Sequence, residues 1–261
     1  MYTNYIIFIF ITLKNTMGID RTVCEALFRS FKYATPKGRM LTLGRQGIHI
    51  NASIFNYFLE KNNVSHLNDR YQYGAFCEKF FTDMGFETVD SIDNSPYEGA
   101  SIIHNMNTPV HPDLYTSNGY DYIFDGGTTE HIFNTPQVCE NIINLLNVGG
   151  IYVAVTPNNN FSGHGIYQFS PEFYLSAFSS KYGMEVQELY LAKLGCEYDT
   201  WINVNSFNPD PVSGYGRNIS SFNSADPVYI VAFIKKISND RLNLITHSPN
   251  QFSYEQIDWK K

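Results

Sequence analysis

Basic residues, and charged residues in general, are scarce in this chain. Its 261 residues include 18 Lys and Arg against 25 Asp and Glu, and the formal net charge is -7. The basic residues form no cluster along the sequence. An acidic surface of this kind repels a phosphate backbone. We therefore expect no nucleic-acid partner.

Cysteine is also rare, and the four cysteines make no recognisable site. Cys24, Cys77, Cys139 and Cys196 lie far apart, without the CxxC or Cys/His spacing of zinc and redox sites. Free thiols of this kind are typical of a reducing compartment. We expect a cytoplasmic protein, in the cell that produces it or in a host cell.

The sequence lacks an apolar run long enough to cross a membrane. The longest N-terminal stretch, 5–13, is too short to span a bilayer. No basic residue precedes it and no clear small-residue cleavage site follows it. We expect no membrane partner, an N-terminal extension over 1–16, a single domain over 17–236 and a polar C-terminal tail over 237–261.

Aromatic residues are abundant where charge is not. The chain has 19 Tyr and 20 Phe, and only 16% of its residues are charged. Much of the surface must therefore be formed by Asn, Ser, Thr and Tyr. Such a surface suits a polar, uncharged ligand such as a glycan.

Predicted strands and helices alternate along the chain. Apolar runs predict strands near 40–43, 87–92, 101–104, 120–124, 151–155, 184–191 and 228–235. Helical spacing appears near 20–32, twice within 51–85, at 138–146 before Gly149 and Gly150, and at 171–182. This alternation predicts βαβ crossovers and a mainly parallel sheet. The long segment 192–226 is predicted to be a loop that caps the site.

Polar and glycine residues follow several of the predicted strands. Gly44-Arg45-Gln46-Gly47 follows the first strand and is predicted to be a tight turn that opens a helix. Asp93, Asn105 and Asp125 follow later strands. Ligands of open α/β sheets bind at these strand ends, where an acid can accept both hydroxyls of a ribose. The pattern predicts an adenosine-containing cofactor, although each feature alone also fits an ordinary turn.

Four segments together resemble the class I S-adenosylmethionine-dependent methyltransferases, across about residues 20–236. These segments are 120–133, with its Glu130-His131 pair, 145–158, with Gly149-Gly150, 85–100, with Asp93, and the strand over 226–236. The resemblance implies a Rossmann-like α/β fold with a seven-stranded, mainly parallel sheet, helices on both faces and an antiparallel last strand. That last strand argues against a nicotinamide-dependent oxidoreductase, a further function that an open α/β sheet could support.

The resemblance also implies S-adenosylmethionine as the cofactor and the strand ends as its contacts. Asp93 would hold the ribose. The other implied contacts are Gly44, Arg45, Gln46 and Gly47 at the methionine part, Asn105 and Met106 at the adenine, and Asp125 and Gly126 beside the methyl group. The loop departs from the family pattern because the leading acid and one glycine are missing. Arg45 either pairs with the cofactor carboxylate or is a solvated turn residue.

A hydroxyl acceptor requires a base that removes its proton during methyl transfer. His164, in the segment after the fifth strand, is the first candidate, and His131 is the second. Both residues also have a structural interpretation, as a loop histidine and as a helix-start residue. Asp125, Glu130 and His131 match no established metal spacing, so the sequence predicts no metal site.

Two hypotheses of different classes follow from the sequence. The first is a methyltransferase acting on a hydroxyl of a small polar acceptor, such as a sugar, a sugar nucleotide or a glycan. The second is a degenerate methyltransferase fold that binds a ligand or partner without catalysis. The sequence leaves a homodimer open.

Overall fold

The computed structural model describes residues 18–116, 118–197, 200–204 and 224–250. The strands in this part are β1 (Gly18–Ile19), β2 (Arg39–Leu43), β3 (Gly47–Ile48), β4 (Thr88–Asp93), β5 (Ile102–Ile103), β6 (Tyr120–Asp125), β7 (Leu146–Asn159), β8 (Met184–Lys193), β9 (Ile202–Asn203) and β10 (Val228–Lys236). The helices are α1 (Arg21–Ser30), α2 (Ala52–Lys61), α3 (Glu78–Met84), α4 (Thr135–Leu145) and α5 (Pro171–Ala177).

One large sheet organises the fold, in the strand order β5-β4-β2-β6-β7-β10-β8-β9. The pairs from β5 through β7 are parallel, and β10 runs antiparallel between β7 and β8. The predicted Rossmann-like α/β class and its antiparallel last strand are confirmed. The predicted count of seven strands is wrong, because the two-residue strand β9 adds an eighth, antiparallel strand beside β8.

Helices cover both faces of this sheet. Side chains that alternate along β7 illustrate the division: Val153 and Val155 face one apolar core, whereas Tyr152 and Ala154 face the other. Helices α1, α2 and α3 contribute to the first core, and α4 and α5 contribute to the second. Both cores are closed by fully buried aromatic rings, as the high Phe and Tyr content leads one to expect.

The segment after β2 differs from its prediction. We expected a tight turn and a helix start at 44–47, but Gly47 and Ile48 form β3, which pairs in parallel with β1. Backbone groups of this segment bond to 74–77, since Cys77 N donates to Gln46 O and Ile48 N donates to Ala75 O. The next helix begins only at Ala52, after the side chain of Asn51 accepts from Ser53 N at 2.9 Å.

Helix α4 also ends earlier than predicted, at Leu145 rather than before Gly149 and Gly150. Its last carbonyls are satisfied by a lysine from the last strand. Nζ of Lys236 donates to the carbonyl oxygens of Ile143 and Leu146 at 2.7 Å each. Gly149 and Gly150 instead lie in β7, where the pairing with β6 shifts register.

The described part of the C-terminal segment, 237–250, packs against α4. Glu140 of that helix is buried and accepts from Arg241, from Asn243 and from the backbone N of Leu244. Leu244 is itself buried in the second core. The segment therefore contributes to the domain, although it contains neither helix nor strand.

Two other predictions fall partly or wholly outside the described residues. Residues 1–16 lie outside them, as do 205–223 of the predicted capping loop 192–226. Of the described part of that loop, Trp201 is buried and packs edge-on against Tyr190. Among the described helices, none combines the length and apolar character that crossing a bilayer requires.

Candidate functional site

A cleft of about 370 Å³ opens at the carboxyl ends of β2, β4 and β5. It lies where parallel strands of an open α/β sheet present their ligand-binding ends. The residues that line it are Leu43, Gly44, Arg45, Gln46, Ile92, Asp93, Asn94, Glu98, His104, Asn105, Met106, Asn107, Thr128, His131 and Ile132. Seven of the eleven predicted site residues therefore share one cleft. The predicted residues absent from this lining are Gly47, Asp125, Gly126 and His164.

Gly44 forms the turn at the end of β2, and its geometry requires glycine. Its φ is +66°, and a Cβ there would lie 2.9 Å from Oγ1 of Thr128. The backbone N of Gly44 donates to Ile92 O at 2.8 Å, which ties the turn to β4. The turn thus brings bare backbone to the floor of the cleft.

Arg45 and Gln46 are held by neighbouring protein groups. Nε of Arg45 lies 2.6 Å from Oε1 of Glu78, and Nη1 donates to the carbonyl of Glu98 at 2.5 Å. The same guanidinium lies 3.9 Å from the ring centre of Phe76. Nε2 of Gln46 donates to Leu43 O at 2.6 Å. Neither of the two interpretations offered for Arg45, a cofactor partner or a solvated turn residue, accounts for this pair with Glu78.

Asp93 ends β4, lines the cleft and is half-buried. Its Oδ1 accepts from the backbone N of Ser95 at 3.1 Å, which orients the carboxylate. Further along the cleft, Oδ1 of the exposed Asn105 accepts from the backbone N of Asn107 at 3.0 Å. Met106 is buried beside them. An acid, an amide and an apolar side chain thus lie along one wall.

Asp125 is buried at the end of β6, outside the cleft lining, and its carboxylate organises the following turn. It accepts from the backbone N of Thr128 at 2.7 Å and of Gly127 at 3.2 Å. The hydroxyls of Thr129 and Tyr152 also donate to it. Burial raises the pKa of Asp125, whereas these hydrogen bonds lower it. The carboxylate therefore supports the site from below.

Beside the cleft lies a second buried carboxylate, on Glu130, between two imidazoles. Oε1 of Glu130 lies 3.4 Å from Nε2 of His164 and 3.7 Å from Nε2 of His131. The two rings are edge-on, with centres 5.0 Å apart. We call Glu130, His131 and His164 the Glu130 cluster. Because His131 also lines the cleft, the cluster borders it directly.

Two segments that follow neighbouring parallel strands create this cluster. Glu130 and His131 lie in the short 3-10 helix Thr129–His131 after β6, and His164 lies in the loop after β7. The backbone N of Ile166 donates to Glu130 O at 2.7 Å, which fixes the loop against the helix. Gly165 permits this approach, since its φ is +72° and a Cβ would lie 2.9 Å from Cγ of Glu130.

The Glu130 carboxyl is strongly perturbed by its surroundings. Its side chain is fully buried, and neither carboxyl oxygen has a hydrogen-bond partner with good geometry. Burial raises the pKa of Glu130 to about 7, while His164 opposes the shift and Asp125 adds to it. Burial also lowers the pKa of His131, as does the nearby His164.

Several residues of the site have no role in the sequence prediction. Glu98, His104, Asn107 and Thr128 line the cleft without having been singled out. Glu130 was considered only as a metal ligand beside Asp125 and His131. Its link to His164 follows from topology, because the carboxyl ends of β6 and β7 are neighbours in a parallel pair. The strand order therefore carries the signal that sequence spacing lacks.

Comparison with known proteins gives distant structural likenesses. No family model matches the chain, and no curated protein matches it. Among solved structures it is similar to the YcgJ protein of Bacillus subtilis, at 10% identity, covering 83% of this chain and 98% of that one, with a TM-score of 0.45. The fold assignment depends on the strand order described above.

Two further likenesses differ in what the matched protein does. One is a SAM-dependent methyltransferase from Archaeoglobus fulgidus, at 14% identity, covering 82% of this chain and 94% of that one, with a TM-score of 0.43. The other is the [4+2]-cyclase SpnF, at 13% identity, covering 87% of this chain and 86% of that one, with a TM-score of 0.43. A fold by itself does not determine a function, which depends on the residues of the site.

Proposed function

We propose that this protein transfers a methyl group from S-adenosylmethionine to a hydroxyl of a small polar acceptor, of the sugar, sugar-nucleotide or glycan class. One observation carries the proposal. The cleft lined by the half-buried acid Asp93 is also lined by His131, which belongs to a histidine–carboxylate cluster. The cleft, as the binding region for an adenosine group, thus adjoins the Glu130 cluster, as the region that could accept or donate a proton.

The residues of the cleft fit the adenosine half of this cofactor. The cleft falls within the range of about 300–1,000 Å³ that small-ligand sites occupy. Asp93 would accept the ribose hydroxyls, and Asn105 with the buried Met106 would contact the adenine. Gly44 offers a turn without a side chain at the methionine end. When bound, the cofactor supplies a methyl carbon that forms a bond to the acceptor oxygen as its bond to sulfur breaks, with that electron pair retained by sulfur.

The Glu130 cluster is proposed to act on the proton of the acceptor hydroxyl. His164 and His131 each expose about two-fifths of their side chains, so an acceptor can reach both imidazoles. The Glu130 carboxylate lies within 3.7 Å of both Nε2 atoms and would stabilise positive charge on either ring. His164 is the proposed catalytic histidine, and His131 supports it from the cleft side.

The surface around the cluster supports a polar acceptor of modest size. Phe133 is largely exposed, and its ring lies 6.4 Å from that of Tyr167, whose hydroxyl donates to Phe133 O. Exposed aromatic rings stack on the apolar faces of sugars while neighbouring polar groups bind the hydroxyls. Ser162 and Asn159 are exposed at the same end of β7.

A ligand-binding protein without catalysis is the alternative. It is favoured by the loop after β2, where Arg45 is already paired with Glu78 and where a strand replaces the predicted helix start. Free backbone amides at a helix start would otherwise hold an anionic group there. In this alternative the cleft binds an adenosine compound, but the Glu130 cluster acts on no acceptor.

Transfer of labelled methyl from S-adenosylmethionine to a panel of sugars, sugar nucleotides and glycans tests the proposal. We expect label in a hydroxyl-bearing acceptor and at least a tenfold lower rate for His164→Ala, since general acid–base groups contribute about 10²–10⁴-fold. His111→Ala is the matched control, because His111 is an exposed histidine outside the cleft lining. Cofactor binding without transfer to any acceptor would favour the alternative.

A further inference from the structure

The three side chains of the Glu130 cluster each present one ligand atom to a common point. These atoms, the Nε2 or Nδ1 of the two histidines and a carboxylate oxygen, all lie within 4.8 Å of one another. The two distances from Oε1 of Glu130, 3.4 and 3.7 Å, are close to the separation of about 3.3 Å between ligands of a tetrahedral metal ion. Small side-chain rotations would therefore complete the geometry.

The electrostatic state of Glu130 points to a missing positive partner. Its side chain is fully buried, and both oxygens lack a well-aligned hydrogen bond. A buried carboxylate in this state is costly unless a cation compensates it. The guanidinium that lines the cleft, that of Arg45, is paired with Glu78. The two imidazoles are the groups that face Glu130, and neutral imidazoles are themselves metal ligands.

The contrast with Asp125 removes one alternative ligand set. Asp125 is equally buried, but its two oxygens accept from three donors within the following turn and from the hydroxyl of Tyr152. Because both oxygens already have hydrogen-bond donors, this carboxylate does not need a cation to stabilise it. The sequence spacing of Asp125, Glu130 and His131 predicts no metal site. In the structure the third residue beside Glu130 and His131 is His164, which comes from a different strand end.

We propose that Glu130, His131 and His164 bind one divalent transition-metal ion of the borderline class, such as Zn²⁺ or Fe²⁺. Two imidazoles and one carboxylate are the ligands that such ions prefer, whereas Mg²⁺ and Ca²⁺ prefer oxygen ligands throughout. Three protein ligands leave at least one coordination position open, as in catalytic sites. With both imidazoles partly exposed, that position is open to solvent and to an acceptor.

This site would deepen the proposed function, on which this one consequence rests. An acceptor hydroxyl bound at the open position would lose its proton to water more readily, because a bound cation lowers the pKa of a coordinated oxygen. With the ion bound, His164 and His131 would be its ligands, and this role would replace the direct proton transfer proposed for the metal-free cluster. Binding of the ion itself requires neither cofactor nor acceptor.

Titration of the metal-free full chain with Co²⁺, followed by visible absorption, tests the site directly. Co²⁺ takes the place of Zn²⁺ and reports its ligands through ligand-field bands. We expect one equivalent to bind with nitrogen and oxygen ligands. His164→Ala, His131→Ala and Glu130→Gln should each weaken binding by more than the roughly 10- to 100-fold that loss of an outer-shell partner costs.

His111→Ala is the matched control for adventitious binding. His111 and Asp113 form an exposed pair, with Nδ1 and Oδ2 at 3.3 Å, that offers a surface site of similar chemistry. The control should bind Co²⁺ as the unmodified chain does. Equal Co²⁺ affinity in the unmodified chain and in His164→Ala would overturn the site. A thiolate charge-transfer band would also overturn it, because it would show a cysteine ligand, and so would the absence of binding of both Co²⁺ and Zn²⁺. Circular dichroism of each variant separates lost binding from lost folding.

The metal site and the proposed function can fail independently, and two separate binding measurements distinguish these outcomes. S-adenosylhomocysteine binding is measured in the presence of a chelator, and Co²⁺ binding is measured without the cofactor product. Co²⁺ binding without cofactor binding would leave the metal site in place and contradict the methyltransferase. Methyl transfer that persists in chelator, in a chain that binds no Co²⁺, would overturn the metal site alone.

Discussion

Two buried carboxylates lie five residues apart after β6, and they differ in every respect except burial. Asp125 accepts from two backbone amides and two hydroxyls, so both oxygens of its carboxylate are hydrogen-bonded within the protein. Glu130 has no aligned donor and faces two imidazoles instead. Both are fully buried.

The difference separates a structural acid, Asp125, from Glu130, which we propose to be functional. A carboxylate with four donors stabilises the turn that carries the site and gains nothing from a ligand. A carboxylate buried without donors costs stability, and such costs cluster where a protein binds or transforms something. In our proposal the turn of Asp125 supports the site, and the Glu130 cluster is its reactive centre.

The largest expected effect is on the support. Asp125→Ala would leave four buried donors unpaired, and we expect the free energy of unfolding to fall by about 3 kcal/mol or more. Urea denaturation measures this change. A loss below about 1 kcal/mol would remove the distinction between the two carboxylates.

Glu130→Gln should instead raise the free energy of unfolding, by about 1–3 kcal/mol at pH 8 in the presence of a chelator. Burial raises the pKa of Glu130 from 4.5 to about 7. The stability that the protonated carboxyl contributes is therefore complete below pH 4.5 and is lost as the pH rises through 7. Urea denaturation at pH 4.5 and at pH 8 measures this difference. The free energy of unfolding of the variant should exceed that of the unmodified chain only at pH 8. A gain of equal size at both pH values would refute this explanation.

The approach of the His164 loop to Glu130 predicts an intermediate effect. Gly165→Ala places a Cβ 2.9 Å from Cγ of Glu130 at a φ of +72°, and we expect a loss of about 1–2 kcal/mol with weakened Co²⁺ binding. Gly163→Ala is the control, since its φ is +84° but no atom lies within 4 Å of the added Cβ. If both variants bind Co²⁺ equally well, the close approach has no part in forming the site.

The smallest effect on stability is expected for His164→Ala, below about 1 kcal/mol, because its side chain is two-fifths exposed. The same substitution should abolish tight Co²⁺ binding. A large loss of stability, measured by thermal unfolding without metal, would instead indicate that His164 is a structural residue.

The sequence predicts the elements that depend on local pattern. Apolar periodicity finds β2, β4, β6, β8 and β10 within a few residues, because each lies in a sheet buried on both faces. Asp93 is found because it ends such a strand.

Features that depend on distant partners escape prediction. Gly47 becomes a strand because Gly18 pairs with it, and two-residue strands carry no periodic signal. Helix α4 ends at Leu145 because Lys236, some ninety residues later, takes its carbonyls. His164 meets Glu130 only once β6 and β7 are known to be neighbours.

Binding of the cofactor in the cleft is the central requirement of the proposed function. Calorimetric titration of the full chain with S-adenosylhomocysteine, in chelator, measures this directly, with Asp93→Ala and the exposed Asp113→Ala compared. We predict one binding site, weakened at least about tenfold, or 1.4 kcal/mol, by Asp93→Ala and unchanged by Asp113→Ala. No heat of binding, or equal affinity in Asp93→Ala, would contradict the account.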